Sequence, residues 1–431
     1  MDYHKNITES SSIEVFPAPD EIVLPLSQHI GAPCKALVAK GDTVKVGQKI
    51  AEADAFISAP IHSSVSGVVT AISKRPCSGK TLVDSIIIEN DKQDIVHEDI
   101  KPYKQLSELS SEEIINIIKE SGLVGLGGAT FPTYVKLIPP RDKTVDSIVI
   151  NGAECEPFLS ADHRVMLERA GDIILGAKAV AQALRVTNIY IGIEDNKLDA
   201  ISTLEGAIVS EDKYRFKVIP LKTKYPQGAE KVLVKTILKR KVPPIGIPLD
   251  VGVVVINVST AAQVAKTLNT GMPLIDRVVT VAGKGVERPG NYQVKLGTLF
   301  KHFFKKGEEK SKETVNDINS KDNISSNSIS EGIKKVIMGG PMMGVAQWTL
   351  DVPVIKGTSG IISIAPLLEE EGPCIRCGRC IEACPFDLIP LNDADDSCME
   401  CGLCAYVCPA KRHLVQRIKL AKDKRKQKGS S

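Results

Sequence analysis

Hydrophobic and polar positions follow helical and strand periodicities in alternation from about residue 108 to residue 258. The first helix is predicted to begin after Ser110 and to run through Ser121, because Ser110 and Glu113 form a capping box. The apolar and amphipathic segments that follow alternate as in a parallel α/β sheet. The predicted strands are Ser147–Ile150, Asn188–Ile193, Phe216–Leu221 and Val251–Val258, and the predicted helices cover 163–185, 197–208 and 228–239.

Segments of a different character flank this α/β region. Residues 1–20 are polar and weakly patterned, so the first ordered element is predicted at Glu21–Pro25, and short strands separated by glycine turns follow it. On the other side, residues 276–292 predict a small β unit with a hairpin. Residues 305–332 consist mainly of Lys, Glu, Ser and Asn without apolar periodicity, which predicts a disordered insertion.

The strongest chemical signal is a pair of cysteine runs near the carboxyl end. Both have the spacing C-x2-C-x2-C-x3-C-P of bacterial ferredoxins, in which the fourth thiolate of each run reaches the other 4Fe–4S cluster. Structural zinc or disulfides are the alternatives, but neither needs two copies of this spacing. We predict one cluster on Cys374, Cys377, Cys380 and Cys408, and a second on Cys384, Cys398, Cys401 and Cys404.

Composition narrows the remaining possibilities. The formal net charge of the 431 residues is +3 and only 4% of them are aromatic, which argues against DNA or RNA as a partner. The sequence predicts no signal peptide and no transmembrane span, so a reducing cytoplasm is expected. Outside the two runs, Cys34 precedes Lys35, which leaves a redox or metal role open beside the commoner role of a small buried hydrophobe.

Glycine-rich and polar loops are candidates for ligand binding. The segment 122–133 contains four glycines, whose backbone N–H groups can approach a phosphate or a planar ring, and Lys136 follows as a cation. The spacing is neither the Rossmann fingerprint nor a P-loop, so a tight surface turn is the alternative. Because parallel strands bind ligands at their carboxyl ends, one converging site is predicted from the loops 151–157, 225–231 and 257–260.

Taken together, these separated motifs resemble a known family. The order "GDTVKVGQKI … SAPIHSSVSGVV" resembles the barrel-sandwich hybrid of lipoyl and biotinyl carriers. Its hairpin tip, around 60–66, lacks the lysine that carries their cofactor, so a docking or bracing role is expected. The motifs "NGAECEP", "YPQGAEK", "INVSTAAQV", "GGPMMG" and "KGTSGI" resemble the flavin- and NADH-binding subunit of respiratory complex I, and more closely the RnfC subunit of the Rnf electron-transport complex.

The resemblance implies a set of cofactor-binding residues. The residues implied for FMN are Gly125, Gly127, Gly128, Lys136, Asn151, Asn257 and Thr260. Phe131 is expected to stack near the adenine of NADH. The residues expected to line the flavin and the nicotinamide are Gly228 and the two catalytic candidates, Glu154 and Glu230.

The fold implied by the resemblance is multidomain, with α/β and α+β parts. Its expected domains are an N-terminal segment with a barrel-sandwich hybrid (1–105), a complex-I-like FMN- and NADH-binding α/β domain (106–270), a β-grasp domain of the soluble-ligand-binding type that carries the insertion 305–332 (271–365), and a two-cluster ferredoxin-like domain with a basic tail (366–431).

The implied function is electron exchange between NAD(H) and ferredoxin-linked clusters. NADH gives up two electrons together and an iron–sulfur cluster takes one, so FMN would divide the pair. In an Rnf complex the chain is expected to bind the membrane subunits on the inner face of the cell membrane, to meet ferredoxin indirectly, and to support ion translocation elsewhere. Two alternatives stay open: a soluble protein that passes NADH electrons to a reductase such as proline reductase, and an iron–sulfur relay or scaffold with an empty flavin site.

Overall fold

The computed structural model describes residues 3–79, 82–209, 214–305, 335–364, 370–391 and 396–429. Apart from Lys305, the insertion predicted at 305–332 lies outside these residues. Within them, none of the helices has the length and apolar character needed to cross a membrane.

Ordered structure begins earlier than the sequence predicts. A 3₁₀ turn at Lys5–Ile7 and strand β1 at Ile13–Val15 precede Glu21, so the prediction that the first element starts at Glu21 is wrong. β1 is short and largely exposed, and it forms because Ile13–Val15 pairs in parallel with residues 291–293, which are distant in the sequence. Nothing in the local pattern of residues 1–20 signals such a partner.

Short antiparallel strands form the N-terminal β unit, as the glycine turns predict. Its strands are β2 (Glu21–Pro25), β3 (Lys35–Ala36), β4 (Thr43–Val44), β5 (Lys49–Glu52), β6 (Ile61–His62), β7 (Gly67–Pro76) and β8 (Leu82–Asn90). They form two sheets of order β2-β8-β7-β4 and β3-β5-β6, whose inward residues share one apolar core. Cys34 is buried in this unit, where its thiol donates to Ala59 O at 3.1 Å, and burial raises its pKa.

The predicted α/β region is a parallel sheet of order β11-β10-β9-β12 with helices on its faces. Its helices are α1 (Ser111–Glu120), α2 (Thr133–Lys136), α3 (Ala161–Glu168), α4 (Ala170–Leu184), α5 (Leu198–Ala207), α6 (Glu230–Leu238) and α7 (Val258–Thr270). Its strands are β9 (Ser147–Gly152), β10 (Asn188–Glu194), β11 (Arg215–Leu221) and β12 (Val253–Asn257). The Ser110–Glu113 capping box is confirmed, whereas the helix predicted over 163–185 is divided into two at Arg169.

The third sheet is mixed and has the order β1-β14-β13-β17-β15-β16. Its remaining strands are β13 (Asp276–Gly283), β14 (Gly290–Lys295), β15 (Lys335–Met338), β16 (Val345–Gln347) and β17 (Gly360–Ile364). β13 and β14 form the predicted hairpin, and β17 lies parallel to β13 on its other side.

The two cysteine runs fold as near-copies of each other, 24 residues apart. Each contains a one-turn helix, α8 (Arg379–Glu382) or α9 (Leu403–Tyr406), that starts after a glycine with positive φ. Arg376 and Glu400 occupy equivalent positions in the two copies and both adopt a positive φ. The longer helix α10 (Leu414–Gly429) follows.

Lys356 joins three parts of the molecule at one buried point. Its ammonium is fully buried and donates to Pro60 O at 2.7 Å, in the N-terminal β unit, and to Gly122 O at 2.8 Å, just after α1. Burial lowers its pKa to about 8. The charge has no carboxylate in hydrogen-bonding contact among the described residues, so two backbone carbonyls stabilise it.

Candidate functional site

A cleft of about 720 Å³ opens at the carboxyl ends of β9 and β12, between the α/β sheet, the N-terminal β unit and the third sheet. This volume is within the range of small-molecule and cofactor sites. Every residue that the sequence predicts for FMN or NADH lines it: Gly125, Gly127, Gly128, Phe131, Lys136, Asn151, Glu154, Gly228, Glu230, Asn257 and Thr260.

The glycine-rich loop lies against the start of α7. Thr260 Oγ1 accepts from Leu126 N at 2.9 Å, and a Cβ on Gly127 would stand 3.2 Å from the Asn257 Cβ, so the loop packs close to the β12–α7 turn. Gly128 has a φ of +124°, and apart from its two chain neighbours no atom of the described residues lies within 4 Å of the place of a Cβ, which leaves its backbone open to the cleft. This open, Cβ-free backbone fits the close approach of a flavin and its phosphate.

Asn257 caps the amino terminus of α7. Its Oδ1 accepts from Ser259 N at 2.9 Å and from Thr260 N at 3.3 Å, while its Nδ2 donates to Asp162 Oδ2 at 2.7 Å. Burial, followed by the charge of Glu154, raises the pKa of Asp162 to about 6. The predicted FMN residue Asn257 is therefore fixed by contacts on both sides of its amide group.

Lys136 and Glu230 form an ion pair at the cleft. Lys136, the last residue of α2, donates to Glu230 Oε1 at 2.8 Å and to Val255 O at 3.0 Å. Glu230 is the first residue of α6, where the helix dipole favours a negative charge. The sequence predicts that these two side chains contact different parts of the cofactors, and the structure brings them into direct contact.

Asn151 and Gly228 connect two of the predicted loops. Asn151 Nδ2 donates to Gly228 O at 2.9 Å, and its Oδ1 accepts from Ala153 N at 3.0 Å. A Cβ on Gly228 would stand 2.4 Å from Ala153 O, so only glycine allows this approach of the two backbones. The Cys155 thiol accepts from Gly228 N at 3.3 Å, and burial raises its pKa to about 12.

Glu154 lines the cleft, but its carboxylate already makes hydrogen bonds within the protein. It accepts from Asp162 N at 2.9 Å and from His163 N at 3.4 Å at the start of α3, and it lies 3.7 Å from the Lys5 ammonium. These contacts occupy both carboxylate oxygens, which makes Glu154 a helix-capping group in this structure.

Several cleft residues were not singled out from the sequence, although one of them, Glu156, lies in the predicted loop 151–157. Glu156 accepts from Met342 N at 3.0 Å and from Met343 N at 2.9 Å, which connects the loop after β9 to the "GGPMMG" motif, and burial raises its pKa. The "GGPMMG" motif could have indicated this contact, because backbone N–H groups beside glycines can donate to an acidic side chain such as Glu156. Tyr225, in the predicted loop 225–231, also lines the cleft, and the unpredicted lining residues include Gln28, His29, Arg277 and Met399.

The cysteine runs bring their thiols together in two crossed sets. Burial raises the pKa of the Cys404 thiol to about 12, and the neighbouring charges that add to this shift include Cys384 of the other run. The charges acting on Cys380 include Cys408 of the other run in the same way. The thiols of one set line a single pocket: Cys384, Cys398, Cys401 and Cys404.

Both sets fit iron–sulfur clusters. Cys374 Sγ accepts from Arg376 N and Cys398 Sγ accepts from Glu400 N, each at 3.4 Å, the kind of N–H···S contact that tunes a cluster. Among the described residues no three His, Cys, Asp or Glu side chains are close enough to share one metal ion. A four-iron cube instead gives each thiolate its own iron atom.

The second thiol set lies against the cleft. Tyr225 donates to Cys401 O at 2.6 Å, and Cys155, Tyr225 and Cys401 share a small apolar cluster with Met342 and Met399. In contrast, Cys374 and Cys377 of the first set are exposed. One set of thiols is therefore adjacent to the cleft, and two of the four cysteines of the other set are exposed.

The fold and its sites define a flavin- and iron–sulfur-binding electron-transfer protein. A family model described as the Nuo51 FMN-binding domain matches residues 118–266, and the RnfC barrel-sandwich hybrid domain matches residues 1–93. Models of 4Fe–4S binding domains match 370–389 and 395–411. The cofactors are thus FMN and two 4Fe–4S clusters, which confirms the FMN that the family resemblance implies and the clusters predicted from the cysteine runs.

Similar proteins specify the family. The chain is 42% identical over 389 residues to the C subunit of the Na⁺-translocating ferredoxin:NAD⁺ oxidoreductase complex of Acetobacterium woodii, covering 90% of this chain and 83% of that one. It is 43% identical to the C subunit of the proton-translocating complex of Clostridium ljungdahlii, covering 90% and 80%. The C subunit of the ion-translocating oxidoreductase complex of Rhodobacter capsulatus is 38% identical, with 89% and 71% covered. The chain belongs to the RnfC family.

Proposed function

We propose that this chain exchanges electrons between NAD(H) and ferredoxin-linked clusters as the peripheral RnfC subunit of an ion-translocating ferredoxin:NAD⁺ oxidoreductase complex. The observation that carries the proposal is the position of the cleft, which contains the predicted FMN and NADH residues and lies directly against one cysteine set. FMN supplies the exchange between two-electron and one-electron chemistry.

The residues proposed for FMN are those of the glycine-rich loop and the ends of β9 and β12. Gly127 and Gly128 provide backbone N–H groups, while Gly125 lines the same wall and donates its own N–H to Phe131 O at 2.8 Å, which closes the loop. Asn257 and Thr260 place the amino terminus of α7 beside them. A helix amino terminus favours a phosphate. Lys136 adds a cation, and Asn151 fixes the loop opposite.

The residues proposed for NAD(H) lie at the other edges of the same cleft. Phe131 is half-buried and lines it, which suits stacking on the adenine ring. Gly228 and Glu230 lie at the amino terminus of α6, and Glu154 is proposed to line the nicotinamide region while it caps α3. Each of these roles stays a proposal based on the family's motifs.

The crossed cysteine sets are proposed as the ligands of the two clusters, in a defined order. Cys384, Cys398, Cys401 and Cys404 would hold the cluster next to the cleft, because Cys401 contacts Tyr225. Cys374, Cys377, Cys380 and Cys408 would hold the outer one, because two of these thiols are exposed. Electrons would pass between the cleft and a partner through the inner cluster first.

The proposed partners are the membrane subunits of such a complex, on the inner face of the cell membrane, with ferredoxin reached indirectly. The exposed first thiol set supports a partner that docks on that side. The domain bounds proposed are 1–105, 106–270, 271–365 and 366–431. The strand order β14-β13-β17-β15 supports a β-grasp domain in the third of these.

Anaerobic spectroscopy tests the function and the order of the clusters. In the purified, FMN-loaded protein NADH should reduce both clusters. With Cys401→Ser, NADH should reduce the flavin but leave the outer cluster oxidised, whereas with Cys377→Ser the inner cluster should still be reduced. EPR separates these results. Reduction of the outer cluster at the wild-type rate in Cys401→Ser contradicts the order, and failure of the wild type to bind FMN contradicts the function.

A further inference from the structure

One wall of the cleft carries a buried amide group with an unused donor. Gln28 belongs to the N-terminal β unit, lines the cleft and is only 2% exposed. Its Oε1 accepts from Lys356 N at 3.2 Å, which fixes the orientation of the amide. Its Nε2 has no hydrogen-bond partner among the residues that the structure describes, and leaving a buried donor unpaired is unfavourable.

The next residue, His29, presents a second such donor. His29 Nε2 accepts from Ala59 N at 3.0 Å, so in the neutral ring the hydrogen is on Nδ1. Burial, followed by the charge of Lys356, lowers the His29 pKa to about 4, which keeps the ring neutral near pH 7. Nδ1 is buried and makes no hydrogen bond of good geometry with the described residues, although the Ala32 carbonyl lies near the ring. His29 also lines the cleft.

Arg277 of β13 completes this group. Its guanidinium donates to Lys356 O at 2.7 Å and to Leu126 O, in the glycine-rich loop, at 3.0 Å. Within the described part of the chain its Nε has no hydrogen-bond partner, and the side chain is buried and lines the cleft. Burial lowers the Arg277 pKa to about 10, so the group still carries its positive charge near pH 7.

We propose that Gln28, His29 and Arg277 form a subsite that donates hydrogen bonds to acceptor oxygens of the bound flavin. Gln28 and Arg277 both bond to the backbone of Lys356, and His29 follows Gln28 on the same wall of the cleft. One of the three buried donor groups is a cation, so the ligand group they suit is oxygen-rich and neutral or anionic. FMN offers two such groups: its phosphate and the carbonyl oxygens of its ring.

This inference rests on the proposed function and extends its site beyond the matched flavin domain. Gln28 and His29 lie in the span matched by the barrel-sandwich model, and Arg277 follows the span 118–266 matched by the FMN-binding model. The N-terminal β unit and the third sheet therefore each contribute to flavin binding, which gives the bracing unit a role in the cofactor site.

Gln28→Glu is the primary test, because it retains Oε1 as the acceptor for Lys356 N and replaces the donor with an oxygen. The matched control is Gln48→Glu, in the same unit, where Oε1 also accepts from a backbone N–H, that of Lys45, at 2.9 Å, away from the cleft. FMN and riboflavin are titrated into flavin-depleted protein by fluorescence at about pH 9, where a buried carboxyl group is ionised.

Gln28→Glu should weaken FMN binding at least about tenfold, with Gln48→Glu like the wild type. If riboflavin binding weakens equally, the subsite binds the ring carbonyls; if only FMN binding weakens, it binds the phosphate. Unchanged affinity for both overturns the proposal, whereas a wild type that binds no flavin overturns the proposed function instead. Should Gln28→Glu not fold, judged by iron content, Gln28→Met is measured, and full FMN affinity in it overturns the proposal.

Discussion

The ammonium of Lys136 lies 2.8 Å from the carboxylate of Glu230, so the cation expected to meet a phosphate already has an anionic partner within the protein. Both side chains are partly exposed, so the pair itself adds little to stability. The pair matters for FMN binding, because a phosphate at this site competes with the Glu230 carboxylate for the Lys136 ammonium.

Lys136→Ala should weaken FMN binding by about one to two orders of magnitude, because it removes a charge-assisted hydrogen bond. Glu230→Gln should bind FMN at least as tightly as the wild type, because the competing carboxylate is gone. Flavin fluorescence titration measures both variants. The control is Lys235→Ala, which removes an exposed lysine from α6, the helix that begins at Glu230. Full FMN affinity in Lys136→Ala means that the phosphate lies elsewhere.

Local spacing explains which parts of the site were predictable. The cysteine runs could be read directly, because each cluster takes most of its ligands within a few residues. The α/β alternation and the Ser110 cap are likewise local patterns. In contrast, the Lys136–Glu230 pair joins residues 94 positions apart, and the capping role of Glu154 depends on where α3 begins. These contacts depend on the tertiary fold, which composition and periodicity do not specify.

Cys384→Ser should remove the inner cluster and keep the outer one, because Cys384 lies with Cys398, Cys401 and Cys404 and not with its own run. Cys408→Ser should have the opposite effect. Iron analysis should show about half of the wild-type iron in each variant. EPR of the dithionite-reduced variants identifies the cluster that remains, and loss of the outer cluster in Cys384→Ser disproves the crossed ligation.

Tyr225→Phe should slow the reduction of the clusters by NADH several-fold without changing the FMN or iron content. The substitution removes the hydrogen bond to Cys401 O, which joins the cleft to the second cysteine run. It also leaves the Cys401 carbonyl unpaired. Stopped-flow absorbance follows the bleaching of the clusters. Tyr190→Phe, on β10 away from the cluster, should behave as the wild type. An unaltered rate in Tyr225→Phe excludes a role for this contact in electron transfer.

Lys356 should make stability depend on pH in the alkaline range. Its pKa is about 8 in the folded protein and 10.5 in the unfolded chain, so between these values the unfolded state binds more protons. The Lys356 contribution to the free energy of unfolding therefore rises from about pH 8 to about pH 10.5, by roughly 3 kcal/mol in all. Denaturant unfolding of the wild type and Lys356→Met across this range measures it. If the free energies of unfolding of the two proteins change in parallel with pH, Lys356 does not have a lowered pKa in the folded protein.

The pairing of Ile13–Val15 with Asn291–Gln293 has a consequence for synthesis on the ribosome. The partner strand of β1 is made about 280 residues later, and translation at roughly 5 to 20 residues per second takes tens of seconds to reach it. Throughout that interval the N-terminal β unit and the flavin domain can complete their own sheets, while β1 has no partner. Residues 3–8 already have contacts in the flavin domain, through Lys5 to Glu154 and Thr8 to Ser160. A nascent chain stalled before residue 290 should therefore leave the segment Ile13–Val15 accessible to protease, and release of the full chain should protect it.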